Sequence, residues 1–147
     1  MAFVEARQPR VAKLIAMAIL HNSVLIDVAP DAIWDAVRDV GALHTRLVPG
    51  FVVSTKLDGD ARIVTFGNGL VAREPIISID DERKRLAWSA EGGRTKHYNA
   101  VLQVFAQGSG SRVEWTTDLL PNEMANPIQT MQEQGLAIMK RTLESGR

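Results

Sequence analysis

Residues 96–120, KHYNAVLQVFAQGSGSRVEWTTDLL, decide the fold. Two runs of alternating character, 96–106 and 111–120, flank Gln107-Gly108-Ser109-Gly110, which has the composition of a turn. The stretch therefore reads as a long β-hairpin. Pro121-Asn122-Glu123 closes it and opens the longest helical pattern in the chain, over 124–144. There Met124, Ile128, Met131, Gly135, Ile138, Met139 and Thr142 fall on one broad face. Pro127 is tolerated because it lies in the first turn.

The pattern upstream completes a sheet. Residues 20–28 read as a first strand ending at Ala29-Pro30. Residues 31–40 carry Ile33, Trp34, Val37 and Val40 at helical spacing, and Gly41 stops them. Residues 42–47 form a second short helix or turn before Pro49-Gly50. The period then changes to two. Strands are predicted over 51–57 and 61–66, joined by the hairpin signal Asp58-Gly59-Asp60. After the flexible loop Gly67-Asn68-Gly69 come strands over 70–79, with Pro75 marking an edge or a bulge, and over 85–91. Asp80-Asp81-Glu82 and Gly92-Gly93 supply the intervening turns. This order defines an α+β fold: a curved antiparallel sheet of about seven strands wrapped around a long C-terminal helix, with two short helices after strand 1. Two short helices cannot fill the remaining concavity, so a chamber between sheet and long helix is expected, and such spaces commonly hold ligands.

Composition narrows the function classes. The chain has 147 residues, the size of one domain. Seventeen Lys and Arg balance seventeen Asp and Glu, which argues against a nucleic-acid binder. With no Cys, there is no disulfide, thiol nucleophile or Cys-based metal site. His21, His44 and His97 lack metal-ligand spacing, and phosphate-loop motifs are absent, so no metal or cofactor is expected. No apolar run reaches the roughly 18–20 residues of a membrane span. Arg7, Arg10 and Lys13 ahead of residues 14–20 resemble a signal peptide, but His21-Asn22 follows where small residues mark a cleavage site. Residues 1–19 read instead as a helical N-terminal extension, or as an upstream start ahead of Met17, and residues 20–147 as the domain, with a cytoplasmic location.

The element order and its marking residues resemble the START-like superfamily, also called Bet v 1-like, helix-grip or SRPBCC. Within it the chain resembles the bacterial polyketide cyclase/dehydrase and lipid-transport family. The resemblance spans residues 22–143. It rests on Ile26-Asp27-Val28-Ala29-Pro30 with Ile33-Trp34, on Val71-Ala72-Arg73-Glu74, on Asp80-Asp81-Glu82-Arg83 through Trp88 to Gly92-Gly93, and on Tyr98 and Trp115 ahead of Asp118-Leu119-Leu120-Pro121. Residues 74–93 are also distantly similar to plant abscisic-acid receptors, in which a cavity glutamate and a following aromatic correspond to Glu74 and Trp88. The gating loop of those receptors corresponds to Gly67-Asn68-Gly69, which lacks their proline, and their hormone-anchoring lysine has no match. The cavity carries over and the receptor role does not.

The resemblance, extended by strand parity, points Ile63, Glu74, Trp88, Tyr98, Ala100, Glu114, Thr116 and Asp118 into the chamber, with Ala72, Ile76 and Leu102. Met131, Gly135 and Met139 face them from the helix, and Gly135 leaves space in its wall. Glu74, Glu114 and Asp118 would then be carboxylates with raised pKa values. They could contact ligand, or Glu74 and Asp118 could serve as general acid or base. A chamber carboxylate could also pair with an arginine such as Arg62, Arg73 or Arg112; alternatively, Glu74 and Glu114 lie on the solvated face, paired with neighbouring Arg or Lys. Trp115 alternates with Glu114, so one of the two must point outward.

Three functions remain open. One is binding of a lipid, polyketide or aromatic metabolite. The second is a cyclase or dehydratase that uses a cavity carboxylate. The third is an interaction module with a filled core. A small hydrophobic ligand and a second copy of the chain are the candidate partners.

Overall fold

In the computed structural model, which describes residues 17–146, the strands follow the apolar alternation. They are β1 (Ala18–Ile26), β2 (Val52–Asp58), β3 (Ala61–Phe66), β4 (Val71–Asp80), β5 (Arg85–Ser89), β6 (His97–Gln107) and β7 (Gly110–Leu120). They form one antiparallel sheet in the order β1-β7-β6-β5-β4-β3-β2. The predicted extension over 1–19 lies outside the described residues up to 16, and residues 18–19 belong to β1, two residues ahead of the predicted strand start.

The first helix, α1 (Pro30–Arg38), places Pro30 in its first turn, where a missing N–H costs nothing. It buries Ile33, Trp34, Ala36 and Val37. The Trp34 indole donates to Asp81 Oδ1 at 2.9 Å, and Arg38 Nε donates to the same oxygen at 2.7 Å. These bonds tie α1 to the turn after β4 and hold the Asp81 carboxyl below its usual range. The second short helix is a single wide turn, Leu43–Leu47.

Strand β4 changes partners midway. It pairs with β3 as far as Pro75 and with β5 from Ile76, with a register shift between Ile76 and Ser78. Pro75 lies just ahead of that shift, in an interior strand where its missing N–H leaves out one ladder bond. The β6–β7 hairpin keeps an unbroken register from His97↔Leu120 to Gln107↔Gly110.

The long helix, α2 (Ala125–Ser145), crosses the concave face and buries Ile128, Gln132, Gly135, Leu136 and Met139. Gly135 is a contact point and leaves no empty wall, contrary to the expectation from the sequence. A Cβ there would sit 3.2 Å from both the Phe51 and Trp115 rings, so the helix approaches the sheet as closely as two aromatics allow. No helix among the described residues is long and apolar enough to cross a membrane.

Candidate functional site

Between the sheet and the N-terminal half of α2 lies a chamber of about 620 Å³. Its walls are mostly apolar: Phe51, Phe66, Leu70, Ala72, Tyr98, Met124, Ile128 and Met131. The mouth is formed by Gly67 and Asn68 on one side and Gly92, Gly93, Arg94 and Thr95 on the other. Gly67 is required where it stands, because a Cβ would lie 2.5 Å from the Gly50 carbonyl oxygen. Its own N–H donates to Phe51 O at 2.9 Å, so the mouth loop is anchored at its base. A smaller chamber of about 60 Å³ lies further in, bounded by Arg62, Leu86, Trp88, Leu102, Trp115 and Met139. Phe51, Phe66, Glu74, Tyr98 and Met131 border both spaces.

Glu74 stands at that junction. It is 6% exposed and accepts a hydrogen bond from Arg62 Nε at 2.8 Å, and Arg62 is 3% exposed. The pairing follows from register. Arg62 and Glu74 are direct partners across β3 and β4, and directly opposed residues share a face. Arg62 also lies over the Trp88 ring at 5.4 Å, a cation–π contact that helps hold a guanidinium away from water. Burial pushes the Glu74 carboxyl above its usual range, although Arg62 pulls the other way. The Trp88 N–H lies on the Glu74 side and favours the charged form, without closing a hydrogen bond. Burial, and next the charge of Glu74, push the Tyr98 hydroxyl up to about 12, so it remains a neutral donor and acceptor.

A second polar set links the sheet to the helix, outside the lining of either chamber. The Gln132 amide donates to Thr117 Oγ1 at 2.6 Å and its oxygen accepts from Asn22 Nδ2 at 2.9 Å. Asn22 and Gln129 exchange two further bonds, at 3.0 and 2.6 Å. Buried polar groups on β1, β7 and α2 are thereby satisfied, which fixes the helix against the sheet.

The residues singled out from sequence divide in two. Glu74, Trp88, Tyr98 and Met131 border one or both chambers, Met139 borders the inner one, and Ala100 is buried between Trp88 and Thr117 in register. Ala72, Ile76 and Leu102 share their inward side, Ile76 only partly buried. Ile63, Glu114, Thr116 and Asp118 are on the other face. On β7 the buried residues are Ser111, Val113, Trp115, Thr117 and Leu119, so the intervening Glu114, Thr116 and Asp118 are convex. Glu114 pairs with Arg112 at 2.7 Å, Asp118 with His97 at 2.9 Å, and Thr116 with His21 at 2.8 Å. Ile63 lies between Lys56 and Arg73 because the inward side of β3 is taken by Arg62 and Val64. Trp115 points inward and packs against Trp88 with ring centroids 6.0 Å apart. His44 has a hydroxyl partner, Thr55 Oγ1 at 3.1 Å, which sequence did not reveal.

Phe51 and Phe66, which border both chambers, were missed as site residues, and Thr117 and Gln132, a buried bonded pair behind them, were missed as core residues. The alternation Val113-Glu114-Trp115-Thr116-Thr117-Asp118-Leu119 carries the signal for Thr117, since its apolar members must share the core side. No such signal exists for Gln132, a polar residue on an otherwise apolar helix face. No group of His, Asp or Glu among the described residues could hold a metal ion.

Residues 17–144 match the model of the family described as polyketide cyclase/dehydrase and lipid transport. No curated protein matches the chain in sequence. Among solved structures, XoxI from Bacillus cereus superposes with a TM-score of 0.78 at 22% identity, covering 88% of this chain and 99% of its own. Ara h 8.0201 gives 0.70 at 16% identity, over 88% and 99% of the two chains. The di-domain ARO/CYC BexL from the BE-7585A biosynthetic pathway gives 0.75 at 12% identity, over 86% of this chain and 46% of its own. At these identities the likeness is one of fold.

Proposed function

Because the chain belongs to the polyketide cyclase/dehydrase and lipid-transport family, we propose that it binds one small hydrophobic or amphipathic molecule between its concave sheet and α2. The observation that carries this reading is the chamber itself. Its roughly 620 Å³ falls within the range of about 300–1,000 Å³ usual for small-molecule sites. Apolar walls supply the driving force, since burying apolar area contributes on the order of 25 cal/mol per Å². Glu74, Arg62 and Tyr98 at the inner end supply orientation, and Asn68, Arg94 and Thr95 put polar groups at the mouth. A filled core, as an interaction module requires, does not fit this space.

Fluorescence titration with 1-anilinonaphthalene-8-sulfonate, displaced by fatty acids and naphthols, tests the reading. The wild type is expected to bind the probe and to release it to an apolar competitor. Ala72→Trp, which places an indole in the outer chamber, should weaken binding about tenfold or more, the equivalent of about 1.4 kcal/mol. Ile77→Trp, at a position 59% exposed on the opposite face of β4, should leave binding unchanged. Absence of binding for the probe and every competitor sinks the proposal.

Burial of Glu74 favours a second reading, proton-transfer catalysis in the same chamber. A carboxyl raised toward neutrality can donate or accept a proton next to bound substrate. Glu74→Gln would then lower turnover by about 10²-fold or more at unchanged affinity. Unchanged turnover of an identified substrate removes this reading and leaves binding intact.

A further inference from the structure

The lining of the outer chamber is uneven in charge. Among the described residues, Glu74 and Arg94 are the charged side chains that line it, one at the inner end and one at the mouth. Glu74 is already held by Arg62 at 2.8 Å. Arg94 has no ion pair or hydrogen-bond partner among the described residues. Arg38, Arg46, Arg73, Arg83 and Arg112 each meet a carboxylate, and none of them lines the chamber.

Backbone anchors place Arg94 at the rim. Glu91 exchanges two backbone bonds with Arg73, at 2.7 and 3.1 Å, and the Lys96 N–H donates to Leu120 O at 2.8 Å. Between these anchors the chain turns through Gly92 and Gly93, with φ of +90° and +71°. Glycine enters that region without steric cost. On the other side of the mouth, the Asn68 side-chain oxygen accepts from the Leu70 N–H at 3.0 Å, which leaves its amide group as a further donor.

The chemistry of the rim selects a head group. A cation would be repelled by Arg94. A neutral polar group would exchange its bonds to water for similar ones. An anion gains charge-assisted bonds from a guanidinium whose fork matches a carboxylate. It also keeps much of its water there, because Arg94 is exposed. At the inner end it would be stripped of water beside the Glu74 carboxyl, which is far more costly. The chain has no net charge, so the attraction is local to the rim and owes nothing to an overall positive field.

We infer that the outer chamber takes an amphipathic acid, whose apolar body lies between the sheet and α2 and whose anionic group sits at the mouth on the Arg94 guanidinium. This rests on the reading of the outer chamber as a ligand site and adds to it a charge, an orientation and a specificity-determining residue.

The test uses three probes with one ten-carbon tail: decanoate, decan-1-ol and protonated decylamine. Affinities are measured by calorimetry near neutral pH, at low and at high salt. The wild type should bind decanoate about threefold or more tighter than decan-1-ol, with decylamine weakest, and salt should narrow the gap. Arg94→Gln should remove the preference and leave decan-1-ol unchanged. Arg94→Glu should invert the order, and Arg94→Lys should retain most of it. Lys56→Gln, which removes an exposed charge from the convex face, should change nothing. The wild-type order and its salt dependence decide the matter even where a variant does not fold. Equal wild-type affinities for decanoate and decan-1-ol would overturn the assignment and leave the chamber standing. So would a decanoate preference that survives Arg94→Gln, an equal loss of all three probes in that variant, a matching loss in Lys56→Gln, or binding of 1-anilinonaphthalene-8-sulfonate alone. If neither that dye nor any of the three probes binds, the chamber reading falls and the assignment falls with it.

Discussion

Two ion pairs of nearly equal length sit on opposite faces of one sheet. Arg62 and Glu74 meet at 2.8 Å on the concave side, and Arg112 and Glu114 at 2.7 Å on the convex side. Distance does not distinguish them, but burial does. The side chains of the first pair are 4% and 8% exposed, those of the second 34% and 25%. A pair in contact with water gains little, because solvent screens the attraction and would solvate each charge equally well alone. A buried pair has lost its hydration and depends on its partner, so its chief energetic property is the penalty for breaking it. The convex pair is ordinary surface chemistry. The concave pair places charge beside an apolar chamber.

Removing one partner at a time gives the largest effect and exposes an asymmetry. Glu74→Leu leaves a guanidinium that cannot shed its proton, buried with only Trp88 and the Val40 carbonyl for company. The expected loss is about 3–5 kcal/mol in urea unfolding. Arg62→Met should cost less, because the Glu74 carboxyl can take up a proton and become neutral. Equal losses from the two variants, or a loss under about 1 kcal/mol from Glu74→Leu, would put this pair in the same class as the surface one.

Crowding the concave side comes next. Gly135→Leu inserts a side chain where even a Cβ stands 3.2 Å from Phe51 and Trp115. A helix ordinarily gains from replacing glycine, by about 1 kcal/mol for alanine, but overpacking costs about 1–3 kcal/mol and should dominate here. Thermal unfolding is expected to show a net loss. Displacement of Phe51, which borders both chambers, should also weaken probe binding. A stabilised variant with unchanged binding would mean that the rings yield freely.

The same contrast explains what the sequence could tell. Element order, the hairpin at Gln107–Gly110, an irregularity close to Pro75 and the apolar helix were legible because turn residues and periodicity are local properties. On β6 the inward positions Tyr98, Ala100 and Leu102 came from the family likeness, and there the burial pattern agrees with it. β7 was misread by one residue because three acidic and hydroxyl side chains were assigned to the cavity by family likeness, against a plain alternation that put Trp115 inside. A one-residue slip inverts a strand, so Glu114, Thr116 and Asp118 all moved together. On β3 no local signal was available. An arginine points inward and an isoleucine outward because the β3–β4 register sets Arg62 against Glu74, and a partner 12 residues away across a loop leaves no periodic trace. The Gly135 contact with Phe51 and Trp115 joins three distant segments and was equally silent.

The buried pair also predicts a pH dependence. Burial raises the Glu74 carboxyl above its unfolded value of roughly 4.3. Between the two values the native state holds a proton that the unfolded chain has released, so stability falls as pH rises. The contribution is fully present below the unfolded pKa and is lost as pH climbs through the folded one. The exposed Asp80 and Asp81, held low by Arg83 and Arg38 respectively, act in the opposite sense and only in more acidic solution. Urea unfolding of wild type and Glu74→Gln from about pH 4.5 upward separates the two, since glutamine has no proton to lose. The wild type should lose stability relative to the variant as pH rises, and parallel curves would mean that Arg62 outweighs burial and keeps the carboxyl ionised throughout.

The smallest effects belong to the convex face. Asp118 holds His97 at 2.9 Å with both side chains more than a third exposed, and Glu114 is shared between Arg112 and the more distant His21. Asp118→Asn and Glu114→Gln should each change stability by about 1 kcal/mol or less. Neither should alter the affinity for 1-anilinonaphthalene-8-sulfonate, because the backbone of β7 and the layer of Val113, Trp115, Thr117 and Leu119 stand between these carboxylates and the chamber. This is the sharpest check on the orientation of β7. A tenfold loss of probe binding in Asp118→Asn, with stability intact, would require that side chain on the concave face and would return it to the site from which the alternation of its own strand removes it.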